Sequence, residues 1–236
     1  MSRRRTKDYV AVIELVMEKL GVPNVQRIVA DFEIAVWKAF KKALPQAHMK
    51  GCSFHFTQAI FKQIKELHLQ RLYRGRDVPH SVMKQLMCLC YLPDNVIEPT
   101  FRRLRTKHTD EKLKSLFDYM HKTWISHKIW TPHNWSVYET AVRTNNDIEG
   151  WHNRLNRQGR PNMAFYLLID LLKREADFSA DVVRLLSGRK VRQRRRKDGK
   201  QADARLYKLW KQFREGEITV RDPLKSVARV AGPVDS

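Results

Sequence analysis

The stretch VQRIVADFEIAVWKAFKKALPQAHMKGCSFHF, Val25 to Phe56, decides the architecture. Its opening, Val25 to Ala30, is short and branched like a buried strand and runs straight into Asp31. Phe32, Val36, Phe40 and Ala43 then recur at helical spacing, and Pro45 closes that segment. His48 to Phe56 supplies a second strand. Strand, helix, strand is a βαβ unit, which favours a right-handed crossover and parallel pairing. Asp31 then falls at the carboxyl end of its strand, where open α/β sheets place ligands.

Upstream, Tyr9, Val12, Ile13, Val16, Met17 and Leu20 recur at three and four, predicting a helix that ends at Gly21 before Pro23 resets the chain. Downstream, Ala59 to Leu72 returns to helical periodicity. Val78 to Tyr91, Asn95 to Lys107 and Glu111 to Ile125 follow as helices, with Asp94 and Thr109 as N-caps and no strand signal between them. Met163 to Leu172 (MAFYLLIDLL) is apolar nearly all round and predicts a core helix stopped by Gly188. Arg189 to Lys200 (RKVRQRRRKDGK) carries eight basic residues in twelve with little to bury, so disorder is expected there in the free protein. Leu206, Leu209, Trp210 and Phe213 mark one more short helix. The expectation is a mostly helical α/β protein. Residues 1–176 form its main domain, with a helical insertion at about 77–142. Residues 177–236 form a basic, largely disordered tail with a short helix near 203–214.

Lys and Arg number 46 against 25 Asp and Glu in 236 residues, a formal charge of +21 that asks for a polyanionic partner. The tail is not the sole cause. Residues 187–236 hold 15 basic and 6 acidic residues, which leaves 31 and 19, or +12, for the first 186. Cys52, Cys88 and Cys90 are too few and too odd in number for a disulfide framework. No apolar run reaches the roughly 18 to 20 residues that span a bilayer, and Arg3 to Arg5 lack a following apolar segment, so secretion and membrane insertion are not expected. DNA is the expected partner. RNA is the weaker alternative, because no RNP or KH signature is present. The 189–200 run supplies Arg189, Lys190, Arg192, Arg194, Arg195, Arg196 and Lys197 as nucleic-acid-binding candidates, and the same run fits a nuclear import signal.

A second informative stretch is RTNNDIEGWHNRLN, Arg143 to Asn156. Asn146 stands three residues before Glu149, which fits a capping box, and on spacing alone Glu149 is first of all a helix cap. Alternatively Glu149 and Asp31, distant in sequence, converge on a divalent metal. Mg²⁺ or Mn²⁺ prefers hard oxygen ligands, and a two-ion phosphoryl-transfer site needs three or four carboxylates. Cys52 and His55 have the spacing of half a zinc site that His152, Cys88 and Cys90 could complete, but without a second such pair a structural role outranks zinc. Trp124, Trp130, Trp135 and Trp151 read as packing anchors ahead of platforms for unpaired bases.

ADFEIAVWKAFKKALPQAHMKGCSFHFTQAIFKQI (Ala30 to Ile64), then TWI (Thr123 to Ile125), then W-x-x-Y-E (Trp135 to Glu139) with RTNNDIEGWHNRLN, resemble the MULE-type (Mutator-like element) transposase domain in the family's order, over roughly Thr6 to Leu172. The resemblance implies an RNase H-like core with a helical insertion. It also implies a DDE triad that holds two Mg²⁺ or Mn²⁺ ions for DNA strand cleavage and transfer. Asp31 matches the second acid, Glu149 the third, and Cys52 and His55 the family's C-x-x-H. The first acid would lie on an earlier strand, yet thirty residues precede Asp31 and Asp8 begins a helix. The expectation is therefore a transposon-derived chain truncated at its N-terminus, nuclear, DNA-binding and inactive alone, with an incomplete triad and an incomplete sheet that invites aggregation, self-association or a partner. The alternative is an active metal-dependent DNA recombinase whose first Asp comes from an upstream segment or a partner chain.

Overall fold

In the computed structural model the described residues are 5–21, 24–75, 77–144, 146–159, 162–187 and 197–219, with positions 224 and 228; within helices, the side chains of 146–149, 186 and 197–200 are not among them. The chain divides into two compact units, Met1–Thr144 with Ala202–Ser236, and Asn145–Gln201. The division thus falls at 145 and 201, where the sequence had suggested 176.

The first unit holds a βαβ unit, as the opening stretch predicts. Strand β1 (Arg27–Ala30) pairs in parallel with β2 (His48–Gly51), Arg27 opposite His48 and Ala30 opposite Gly51. Helix α2 (Ile34–Ala43) crosses between them. Among the described residues the sheet has these two strands. Helix α1 (Thr6–Lys19) precedes the sheet and packs on α2. Tyr9 ties it there by donating its hydroxyl to Glu33 Oε1 at 2.8 Å, and Gly21, at φ +68°, turns the chain out of it. The spacing selects Val12, Val16 and Leu20 as its inner stripe, but α1 buries Val10 and leaves those three exposed. The other three residues of the predicted stripe, Tyr9, Ile13 and Met17, are half-buried, so the stripe is covered on one side only.

The second strand is shorter than its sequence suggests. It stops at Gly51, and helix α3 (Ser53–Glu66) begins two residues on, because Phe56, Ile60 and Ile64 recur every four residues on a face fully out of solvent. Helix periodicity there outcompetes the aromatic, strand-like look of CSFHF. From α4 (Gln70–Arg74) onward the first unit is helical: α5 (Val78–Met87), a 3₁₀ turn (Leu89–Tyr91), α6 (Asp94–Lys107), α7 (Glu111–Met120) and α8 (Pro132–Trp135). Two caps differ by one residue from the prediction. Asp94 is the first residue of α6 and bonds its neighbour's amide, and Asp110, not Thr109, caps α7 by accepting from Lys112 N at 2.9 Å. A π turn, His121–Ile125, extends α7; a wider turn re-aims side chains, and here Trp124 and Ile125 end up buried.

Trp124, Trp130 and Trp135 belong to the core, and this settles them as packing groups: Trp124 and Trp135 are 1% and 0% exposed. Phe32 meets Trp124 edge-on at 4.6 Å between ring centres, and Phe56 stacks on Trp135 at 4.7 Å. Each such ring buries area whose loss costs about 3–5 kcal/mol.

Helices α9 (Asn146–Gln158) and α10 (Phe165–Ser187) make the second unit. Two expectations are corrected here. Residues 177–187 are the last turns of α10 and not the start of a disordered tail. MAFYLLIDLL is not a core segment either: Phe165, Tyr166, Leu167 and Ile169 are exposed, and Leu171 is the one buried apolar residue of that run among those described. The final helix, α11 (Lys197–Arg214), starts inside the basic run, six residues before the predicted 203. From Ala202 on it belongs to the first unit, where Trp210 is buried and donates its indole N–H to Tyr91 O at 2.8 Å.

Candidate functional site

Asp31 stands directly after the last residue of β1. Its backbone carbonyl accepts the Trp37 indole N–H at 2.6 Å, so α2 fixes the turn that presents it. Its carboxylate is 55% exposed, and Oδ1 lies 3.0 Å from Nδ1 of His55. The short first turn of α3 creates that pairing: Cys52 donates its backbone N–H to Ala30 O at 3.0 Å, which extends the ladder by one rung, and His55 follows three residues later, beside Asp31. Cys52 itself is fully buried and serves as the N-cap residue of α3. The C-x-x-H spacing therefore splits into two roles, with the Cys in the core and the His on the acid.

The same helix end also holds the segment that leads into RTNNDIEGWHNRLN. Ser53 donates its backbone N–H and its hydroxyl to Arg143 O at 2.9 and 3.0 Å. The Arg143 side chain turns the other way, pairing with Asp203 and lying over the Tyr207 and Trp210 rings at 5.6 and 5.8 Å. One orphan N–H of a helix N-terminus, together with the Ser53 hydroxyl, is thus satisfied by a loop carbonyl, and the loop is locked by a cation on aromatic faces. Neither anchor is readable from sequence, because Ser53 and Asp203 are 150 positions apart.

Glu149 is the fourth residue of α9, in the second unit; its carboxylate, and with it the capping-box and metal-ligand readings, lies outside the described residues. His152, one turn on, is exposed with its ring 5.1 Å from Trp151. It belongs to the second unit, whereas Cys52, His55, Cys88 and Cys90 belong to the first. Burial pushes the Cys88 thiol up to about 12 and Cys90 well above its ordinary value, which opposes the thiolate form that zinc requires. Arg189, Lys190, Arg192, Arg194, Arg195 and Arg196 lie outside the described residues, and Lys197 opens α11.

In the second unit the sequence reading passed over Arg154. Its guanidinium holds Glu175 with Nη2 to Oε2 at 2.6 Å and Nε to Oε2 at 3.0 Å, while Gln158 donates to Oε1 at 3.0 Å. Arg154 foremost holds the Glu175 carboxyl below its ordinary range. The signal available was the i, i+4 spacing of Arg154 and Gln158, which puts both donors on one helix face.

Among the described residues no group of three or more His, Cys, Asp and Glu side chains is placed to hold a metal ion. Asp31 offers one carboxylate beside one imidazole; a Mg²⁺ or Mn²⁺ ion there would need further oxygen ligands. In comparisons with known proteins, no family model, no curated protein and no solved structure matches this chain.

Proposed function

We propose that this chain is a transposon-derived protein resembling the MULE transposases, with an RNase H-like ancestry, which binds DNA through its basic surface in the nucleus and does not cut DNA alone. One observation carries the proposal: an acid at the carboxyl end of the first strand of a βαβ unit, with the His of a C-x-x-H on the following helix 3.0 Å from it. On this reading Asp31 and Glu149 are the second and third acids of a metal site. Asp31 would hold a Mg²⁺ or Mn²⁺ ion by one carboxylate oxygen and His55 would orient it. Such an ion supplies activation of the attacking oxygen and stabilisation of the leaving one. A surplus of 21 positive charges supports the DNA partner. The exposed Val12, Val16 and Leu20 of α1 leave room for the alternative, an active recombinase whose first acid comes from a partner chain.

The test is a supercoiled-plasmid assay with the purified chain, with and without Mg²⁺ or Mn²⁺. Retardation without nicking is expected. Divalent-dependent nicking that disappears in Asp31→Asn would overturn inactivity and establish the enzyme reading instead.

A further inference from the structure

A cavity of about 610 Å³ opens in the first unit beside β2 and α2, within the range of ligand pockets. Its walls combine two chemistries. Arg27 from β1, Lys38 and Lys41 from α2, Lys50 from β2 and Lys128 from the segment before α8 place five cations around it, and no carboxylate lines it among the described residues. Pro45, Met49 and Ile129 supply an apolar surface, with the edge of Trp37.

The cations are poorly compensated. Lys50 is half-buried, donates to His133 O at 2.5 Å, and is held below its ordinary pKa chiefly by desolvation, with Arg27 adding to the effect. Asp94 acts on Lys50 in the opposite sense but is shared with His133, whose Nδ1 lies 2.7 Å from Oδ2. Arg27, Lys38, Lys41 and Lys128 have no carboxylate partner among the described residues. Lys38 and Lys41 sit one turn apart on α2, a like-charge spacing that costs stability in the empty protein. Like charges gathered around a concave, partly apolar space lower the energy of an anion that has an apolar part.

We infer that this cavity is a nucleotide site, in which the lysines and Arg27 take a phosphate and the Met49, Ile129 and Pro45 surface takes sugar and base. The phosphate ester comes either from a strand of nucleic acid threaded over the cavity or from a free nucleotide. With a strand as its source the site deepens the DNA-binding reading above and rests on it, but it needs neither a metal ion nor Glu149. It adjoins Asp31 through one side chain: Trp37 lines the cavity and its N–H holds the Asp31 carbonyl.

The test titrates the full chain in EDTA, so that loss of metal chemistry cannot account for any result. The probes are a fluorescein-labelled oligothymidylate followed by anisotropy, and thymidine 5′-monophosphate and inorganic phosphate as competitors and by calorimetry. Lys38→Gln with Lys41→Gln should weaken binding about tenfold or more, as loss of charge-assisted contacts does. Lys128→Gln, on a different element, should weaken it as well. Lys107→Gln with Lys112→Gln, an equal charge change on exposed ends of α6 and α7, should change it by less than about twofold. Circular dichroism checks each variant's fold. Cavity-dependent binding of the monophosphate identifies a free-nucleotide site; cavity-dependent binding of the oligonucleotide alone identifies a strand site. Equal losses in the cavity and control variants, or no binding of any phosphate probe, overturn the inference.

Discussion

Gly51 shows how much a single missing side chain does in this protein. It ends β2, fully enclosed, and a Cβ built there would overlap the Phe32 ring. Phe32 cannot retreat easily, because Trp124 and Trp130 meet it edge-on at 4.6 and 5.5 Å and Trp37 lies parallel at 6.3 Å. Gly51→Ala is therefore an overpacking change and should lower stability by about 1–3 kcal/mol. An unaltered urea midpoint would show that the ring gives way freely. Phe32 also follows Asp31, so the same substitution pushes on the site. Asp31 itself was legible in sequence, because an acid between a branched run and a helical repeat has one natural place in a βαβ unit. Gly51 was not. A glycine between two elements reads as a turn, and only the packed structure brings the aromatic ring of a distant loop's cluster against it. His55 was half legible: its spacing from Cys52 suggested a pair, while the structure buries Cys52 as the N-cap residue and sets His55 beside Asp31.

At the scale of elements, α9 and α10 are joined by a charge clasp whose behaviour with pH can be stated with its sign. The Glu175 carboxyl is held below its ordinary value of 4.5, first by the Arg154 hydrogen bonds and then by that charge and Gln158. A carboxylate with a depressed folded value stabilises above the unfolded value and loses that contribution as pH falls through the folded one. Glu175→Gln should thus lower the melting temperature of the 145–201 unit at about pH 7, and the gap from the unaltered protein should close as pH falls below the ordinary carboxylate range. A gap that stays constant across this range would mean that the charge is not what joins the helices. Parallel pairing and the helical run from residue 78 were legible because periods of two and of 3.6 differ plainly over such lengths. Boundaries were less so: Ser53 to Phe56 look strand-like until Ile60 and Ile64 are seen to share their face. MAFYLLIDLL misled for another reason. An apolar run implies burial only if something packs on it, and α10 leaves Phe165, Tyr166, Leu167 and Ile169 exposed.

Over the whole molecule, charge is the property that sequence and structure describe in the same terms, and it separates a tail contribution from a body contribution. The net +12 of the first 186 residues predicts that the proposed DNA binding survives loss of the basic run, while Arg194, Arg195 and Arg196 each add one phosphate contact if the run is a binding arm. Each neutralised phosphate contributes about 0.9 to the slope of log K against log salt on duplex DNA. Substituting all three arginines with glutamine should therefore reduce the slope by up to about 2.7 and leave a finite remainder from the body. Anisotropy titrations of a labelled duplex over a series of salt concentrations measure both. A slope unchanged by the triple substitution would take the run out of DNA binding and leave it as an import signal or a solvated linker. A slope that falls to zero would place the whole DNA-binding surface in the run and remove the body's basic face from any role in it.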